Sequence, residues 1–162
     1  MILRLVHQAE VKRHQGDFDK SSSILNRAVT LLNEQKDTTG EAEALYSLAS
    51  LARRRGKIPE AFDYLDKAES LIKKTSETFM KCANTRGLCY AAQGDWSECE
   101  RQFRLALELA EKFDNDKFSR IAAHNLAIPT GFRGEFGEAL RWLKRMFRED
   151  EGSLPQEAWG FL

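Results

Sequence analysis

The chain has 162 residues, enough for one domain with a sizeable core, and its 25 basic and 25 acidic residues cancel to a formal net charge of +0. That balance disfavours a dedicated nucleic-acid binder, which carries a basic excess. No apolar run approaches the roughly 18–20 residues that span a bilayer, and the opening Met1-Ile2-Leu3-Arg4-Leu5-Val6-His7 meets charge too soon for a signal peptide.

The predicted elements are helices throughout, and they come in pairs. Residues 2–15 carry Leu5, Val6, Ala9 and Val11 as their apolar positions. The turn Gly16-Asp17-Phe18 follows, and residues 19–35 place Ile24, Leu25, Ala28, Val29, Leu31 and Leu32 at helical spacings of three and four. Asp37-Thr38-Thr39-Gly40 reads as a loop. The next helix, 41–55, is lined by Ala42, Leu45, Leu48, Ala49 and Ala52. Gly56-Lys57-Ile58 turns the chain, and Pro59 opens a helix striped by Ala61, Phe62, Leu65 and Ala68. Two further pairs are predicted, at about 77–113 around Gly94-Asp95-Trp96 and at about 117–148 around Gly134-Glu135-Phe136. Pro129 lies inside a predicted helix, so a bend or break is expected within 126–130. Residues 151–162 read as a loop and the first turn of a fifth pair.

The turn phrase returns at spacings of 40, 38 and 40 residues, which marks a repeat array. Small and large side chains keep register with it. Seven residues before each turn glycine stand Ala9, Ala49, Gly87 and Ala127, and five after it stand Ser21, Ala61, Cys99 and Ala139. Nine after it stand Leu25, Leu65, Phe103 and Leu143, and twelve after it Ala28, Ala68, Ala106 and Met146. Small residues recur where helix backbones must approach, and large ones where the pair is filled. This pattern resembles the tetratricopeptide repeat over residues 2–150. The common unit of that family is about 34 residues, so the longer period here implies longer helices. HEAT repeats have a similar length but lack the Gly-acid-aromatic turn. The 40-residue form resembles arrays in bacterial signal-transducing ATPase regulators of the maltose-activator type, and those of animal polarity adaptors.

The resemblance implies an all-α, right-handed superhelical solenoid. It has four antiparallel hairpins, at about 2–36, 41–74, 77–113 and 117–148, plus the start of a fifth. Chemistry is sparse. His7, Glu10 and His14 share a helix face without the HExxH of a metal site, and a solvated face is the simpler reading. Gly131-Phe132-Arg133-Gly134 lacks the lysine and the length of a phosphate loop. Cys82, Cys89 and Cys99 are odd in number and without CxxC spacing; they fit core packing, reduced thiols and a cytoplasmic setting. No cofactor, metal or catalytic residue is expected. Arg53-Arg54-Arg55 ends a helix, where cations complement the dipole. Arg86 stands where the family has leucine, so either the helix is rotated there or its stem snorkels.

Binding remains, and the resemblance places it on the first helix of each hairpin, which lines the concave face. By register the groove residues are His7, Glu10 and Arg13; Tyr46, Ser50, Arg53 and Arg54; Lys81, Asn84 and Thr85; His124, Asn125, Ile128 and Arg133. Such a surface suits an extended peptide or a partner helix. The family's carboxylate clamp does not carry over: Val6, Glu10, Ser47 and Thr85 replace its residues and only Lys81 matches. The expected function is a non-catalytic protein-interaction scaffold within a larger regulator. The alternative is a module that senses a small effector or signal peptide and relays it to an effector domain. A long open groove would favour the first, and a compact polar pocket near Asn84, His124 and Asn125 the second. The apolar residues near both ends also lead us to expect self-association through uncapped solenoid ends.

Overall fold

The computed structural model describes residues 2–146, and these residues are helical apart from short turns. In order they form α1 (Ile2–His14), α2 (Phe18–Glu34), α3 (Thr38–Arg54), α4 (Ile58–Ser70), α5 (Glu77–Gln93), α6 (Trp96–Lys112), α7 (Asp116–Phe132) and α8 (Phe136–Met146). Each helix packs on the next, and the pairs stack into a helical-hairpin solenoid. The fold class expected from the repeat is therefore correct. The fifth-pair reading falls on residues outside those described.

The long period has a simple cause. Helices α2, α3, α5, α6 and α7 each run for 17 residues, or about 25 Å at 1.5 Å per residue. Their starts are capped by side chains. Asp17, Asp37, Ser76, Asp95 and Asn115 each accept a hydrogen bond from the backbone N–H three residues on. Helix α4 has no such cap and carries Pro59 in its first turn instead.

The turns share one closure. Gly16, Gly56, Gly94 and Gly134 have φ of 73–79°, a left-handed conformation that glycine adopts without steric cost. The next residue's N–H reaches back five residues: Asp17 to Lys12, Lys57 to Ala52, Asp95 to Tyr90 and Glu135 to Thr130, at 2.9–3.0 Å. This Schellman bond satisfies an orphan carbonyl. The same closure recurs between hairpins, where Lys36 (φ 56°) and Asp114 (φ 53°) take the glycine's place. Residues 37–40 are thus not the loop expected. Asp37 caps α3, its Oδ1 accepting from the Gly40 N–H at 2.9 Å, and the helix begins at Thr38.

Of the bend or break expected at Pro129, the break is corrected, because α7 continues to Phe132. Proline removes one helical hydrogen bond, but here only the last turn follows it. That turn closes normally, with Arg133 N–H to Pro129 O at 3.1 Å. The Thr130 hydroxyl adds a bond to Leu126 O at 2.9 Å. Pro129 itself is fully buried, so its ring contributes to packing.

The core runs the length of the stack. Ala9, Leu25, Leu45, Leu48, Ala49 and Leu65 belong to one cluster, and Phe103, Ala106, Ala122 and Leu126 to another. Cys82, Cys89 and Cys99 are buried free thiols within these clusters. Burial pushes them up to about 12, 11 and 12, so they stay protonated and inert at neutral pH.

Candidate functional site

The odd-numbered helices form the inner row. Helix α3 packs directly on α5, and α5 on α7, while no even-numbered helix packs comparably on the next even-numbered one. A stack whose rows are spaced unequally curves toward the tighter row, so the odd helices line the concave side.

A groove of about 710 Å³ opens between α1 and α3 on this side. Ile2, Val6 and Glu10 wall it from α1; Glu43, Tyr46 and Ser47 from α3; Lys81 reaches it from α5. The chemistry is mixed: apolar contact from Val6, a phenol at Tyr46, and opposite charges at Glu10, Glu43 and Lys81. The Thr78 hydroxyl lies 3.5 Å from Glu43 Oε1, which ties the start of α5 to α3. Burial raises the Tyr46 phenol above its ordinary pKa and keeps it neutral, with Thr85 beside it as an opposing hydrogen-bond partner.

The other residues assigned to this face are distributed unevenly. His7, Glu10, His14 and Arg54 are exposed, and Arg13, Ser50, Arg53, Lys81, His124 and Ile128 are half-buried. Asn84, Thr85 and Asn125 are buried. Asn125 donates through Nδ2 to Asn84 Oδ1 at 2.8 Å, and its own Oδ1 lies 3.4 Å from His124 Nδ1. These amides therefore join α5 to α7 and do not present themselves to the groove. Arg133 lies beyond the end of α7, paired with Glu100 at 2.5 Å and Glu135 at 2.7 Å. It locks the last hairpin turn onto α6. Replacing Asn125 with leucine would leave the buried Asn84 amide without its partner. The expected loss is about 1–3 kcal/mol of stability, read by thermal unfolding, with the helical signal unchanged at low temperature.

A second hollow, about 460 Å³, lies among α4, α5 and α6. Arg86 is central to it. Its Nη2 sits 2.7 Å from Asp66 and 3.1 Å from Glu69, and its guanidinium lies 5.6 Å from the Phe62 ring centroid. The expected snorkel is in fact an inter-hairpin ion pair. The signal that finds it is a charge in a leucine slot together with two acids three apart on the preceding helix.

No group of His, Cys, Asp and Glu among the described residues could hold a metal ion. Nor is any helix among them long and apolar enough to cross a membrane.

The comparisons agree with this architecture. The tetratricopeptide repeat family matches residues 2–74, the first two hairpins. No curated protein sequence matches the chain. Among solved structures, BtubC (BKLC) from P. vanneervenii superposes with a TM-score of 0.77 at 17% identity, over 93% of this chain and 68% of that one. MamA superposes with a TM-score of 0.66 at 20% identity, over 90% of this chain and 76% of that one. At such identities the likeness is one of fold. Residues 2–74 thus carry the tetratricopeptide repeat in sequence, and the described chain as a whole has the helical-hairpin solenoid fold.

Proposed function

We propose that the chain is a tetratricopeptide-type interaction scaffold, acting without catalysis, that takes an extended peptide or a partner helix in the concave groove. The observation that carries this is the open groove between α1 and α3, with apolar, hydrogen-bonding and charged side chains side by side. That mixture suits a polypeptide, which offers all three along its length. The ligand-sensing alternative loses support from the same structure. Asn84 and Asn125, which would line a compact polar pocket, bond to each other instead. The period of 38–40 residues keeps a regulatory partner, as in the maltose-activator type of array, within this reading.

A photo-crosslinking residue at Ser47, in the groove, tests it against one at Asp63, on the exposed side of α4. In source lysate the Ser47 protein is expected to form a discrete adduct that Tyr46→Ala weakens, while the Asp63 protein forms none. Equal adducts from both positions, or an adduct only from Asp63, would place binding on the outer row and overturn the groove.

A further inference from the structure

Exposed apolar side chains are not scattered along this stack. Among the described residues the large ones are Val11 at 39%, Phe132 at 69%, Phe136 at 74% and Leu140 at 52%, so all but Val11 stand on the last hairpin. Phe136 and Leu140 lie one turn apart on α8, and Phe132 ends α7 on the other side of the Gly134 turn. The Phe132 ring stacks on Trp96, with centroids 4.1 Å apart. An apolar patch of this kind, unlike a lone exposed leucine, marks a contact surface.

The repeat register identifies the contact. Phe136 holds the place of Phe18, Ile58 and Trp96, two residues after the turn glycine, and Leu140 that of Ser22, Phe62 and Glu100, six after it. Each of those earlier residues is half-buried. Groups from the end of the next hairpin's first helix lie on them: Phe132 on Trp96, Tyr90 on Phe62 at 5.0 Å between centroids, and Arg133 against Glu100. The face around Phe136 and Leu140 thus continues the interface that joins one hairpin to the next. One period beyond residues 130–133 falls past residue 162, so residues 147–162 hold nothing in register to cover it.

The opposite end of the stack differs. The places of Tyr90, Phe132 and Arg133 are taken on α1 by Lys12, His14 and Gln15, and the place of Arg86 by Gln8. The apolar residues of α1 turn inward instead, where Ile2, Leu5 and Val6 pack on Ala28, Leu32 and Ala44. A head-to-tail stack would press the polar groups of α1 onto Phe136 and Leu140 and strip them of water without a partner. Tail-to-tail pairing sets apolar on apolar, and it closes on itself where a head-to-tail contact grows into a filament. The formal net charge of +0 sets no long-range repulsion between copies.

We propose that Phe132, Phe136 and Leu140 form a self-docking face, through which two copies of the chain join tail to tail as an isologous dimer. Each copy's patch is covered by its partner's. The groove between α1 and α3 lies at the other end of the stack and stays open in the dimer, so the proposal does not rest on the groove reading.

Sedimentation velocity of the full chain over a roughly hundredfold range of concentration tests it. The native protein is expected to move from the 18.5 kDa of one chain toward twice that mass. Phe136→Ser is expected to raise the dissociation constant about tenfold, as loss of a central aromatic anchor does. The side chain is largely exposed in the single chain, so thermal unfolding of that variant should match the native protein at dilutions where both are monomeric. Val11→Ser should leave the dimer intact. Orientation is read with a short bis-maleimide on Gly137→Cys, where a Cβ meets nothing within 4 Å, and on Val11→Cys. The native cysteines are buried and do not compete. The first variant is expected to crosslink to itself and the second not to. A monomer at every concentration, a dimer that survives Phe136→Ser, or a crosslink between a Gly137→Cys chain and a Val11→Cys chain would overturn tail-to-tail pairing.

Discussion

Phe103→Ala is expected to remove about 3–5 kcal/mol of stability, the usual range for truncating a buried aromatic. The ring is completely buried and belongs to the cluster that joins α5, α6 and α7. It sits on Gly87: a Cβ built there would lie 2.6 Å from Phe103 Cε1 and 2.7 Å from Cδ1. Both atoms belong to a rigid ring with no space to retreat into. The small position of α5 and the large position of α6 are therefore one fitted pair. Gly87→Ala should then cost stability despite alanine's advantage within a helix. Overpacking costs about 1–3 kcal/mol, against about 1 kcal/mol gained in helix propensity. Combined with Phe103→Leu, Gly87→Ala should cost less than the sum of the two, because the smaller side chain frees the space that the methyl needs. Urea unfolding measures all four proteins. A second consequence follows from the linear architecture, in which each hairpin is held only by its neighbours. Weakening the third hairpin should uncouple the ends, so the Phe103→Ala transition is expected to broaden with a reduced m-value. A loss below about 1 kcal/mol would mean that the ring is not what holds this hairpin together.

The features legible in the sequence are those set by hard local constraints. A left-handed turn selects glycine, so Gly16, Gly56, Gly94 and Gly134 stand out at once. Close helix approach selects small residues, so Ala9, Ala49 and Gly87 keep register. Misreadings arose where a different residue does the same work. Lys36 and Asp114 adopt positive φ without being glycine, so the turns between hairpins carry no marker. Thr38, Thr39 and Gly40 have low helix propensity, yet the Asp37 cap outweighs it. Pro129 looked like a break because propensity says nothing about where in the helix the lost bond falls. In the groove, Tyr46 and Lys81 follow from position along the first helix of the hairpin. The burial of Asn84 and Asn125 does not, because it depends on how closely α5 and α7 approach. The acids around Arg86 lie 20 and 17 residues away, so they emerge only when its leucine slot is set against the acids of the preceding helix.

Arg86→Met is the second large effect expected, and its size should depend on pH. Burial works against the Arg86 charge, but Asp66 and then Glu69 more than restore it, so its pKa ends above the ordinary arginine value. Glu69 fares differently. Burial raises its pKa, and Arg86, though it pulls the other way, does not fully compensate. The cation has two acids, while the half-buried Glu69 shares Arg86 with Asp66 and has Lys74 as its further, smaller favourable influence. Asp66 is largely exposed, so its share of the pairing contributes little. Glu69 is the costly partner. With Arg86 replaced by a methionine of similar reach, the Glu69 anion keeps its desolvation and loses its counter-ion. The expected cost near neutral pH is about 1–3 kcal/mol, that of leaving a buried polar group unsatisfied. A carboxylate whose folded pKa is raised binds its proton more tightly when folded than when unfolded. Its contribution is therefore most favourable below the ordinary glutamate pKa and is lost as pH rises through the folded value. Removing Arg86 raises that folded value further, so the penalty should shrink as the solution is taken from neutral toward about pH 5. Glu69→Gln in the Arg86→Met background should recover part of the loss at neutral pH, since it removes the buried charge while keeping the shape. A penalty that stays constant across that range, or grows in acid, would show that Arg86 acts through its contact with the Phe62 ring and not through Glu69.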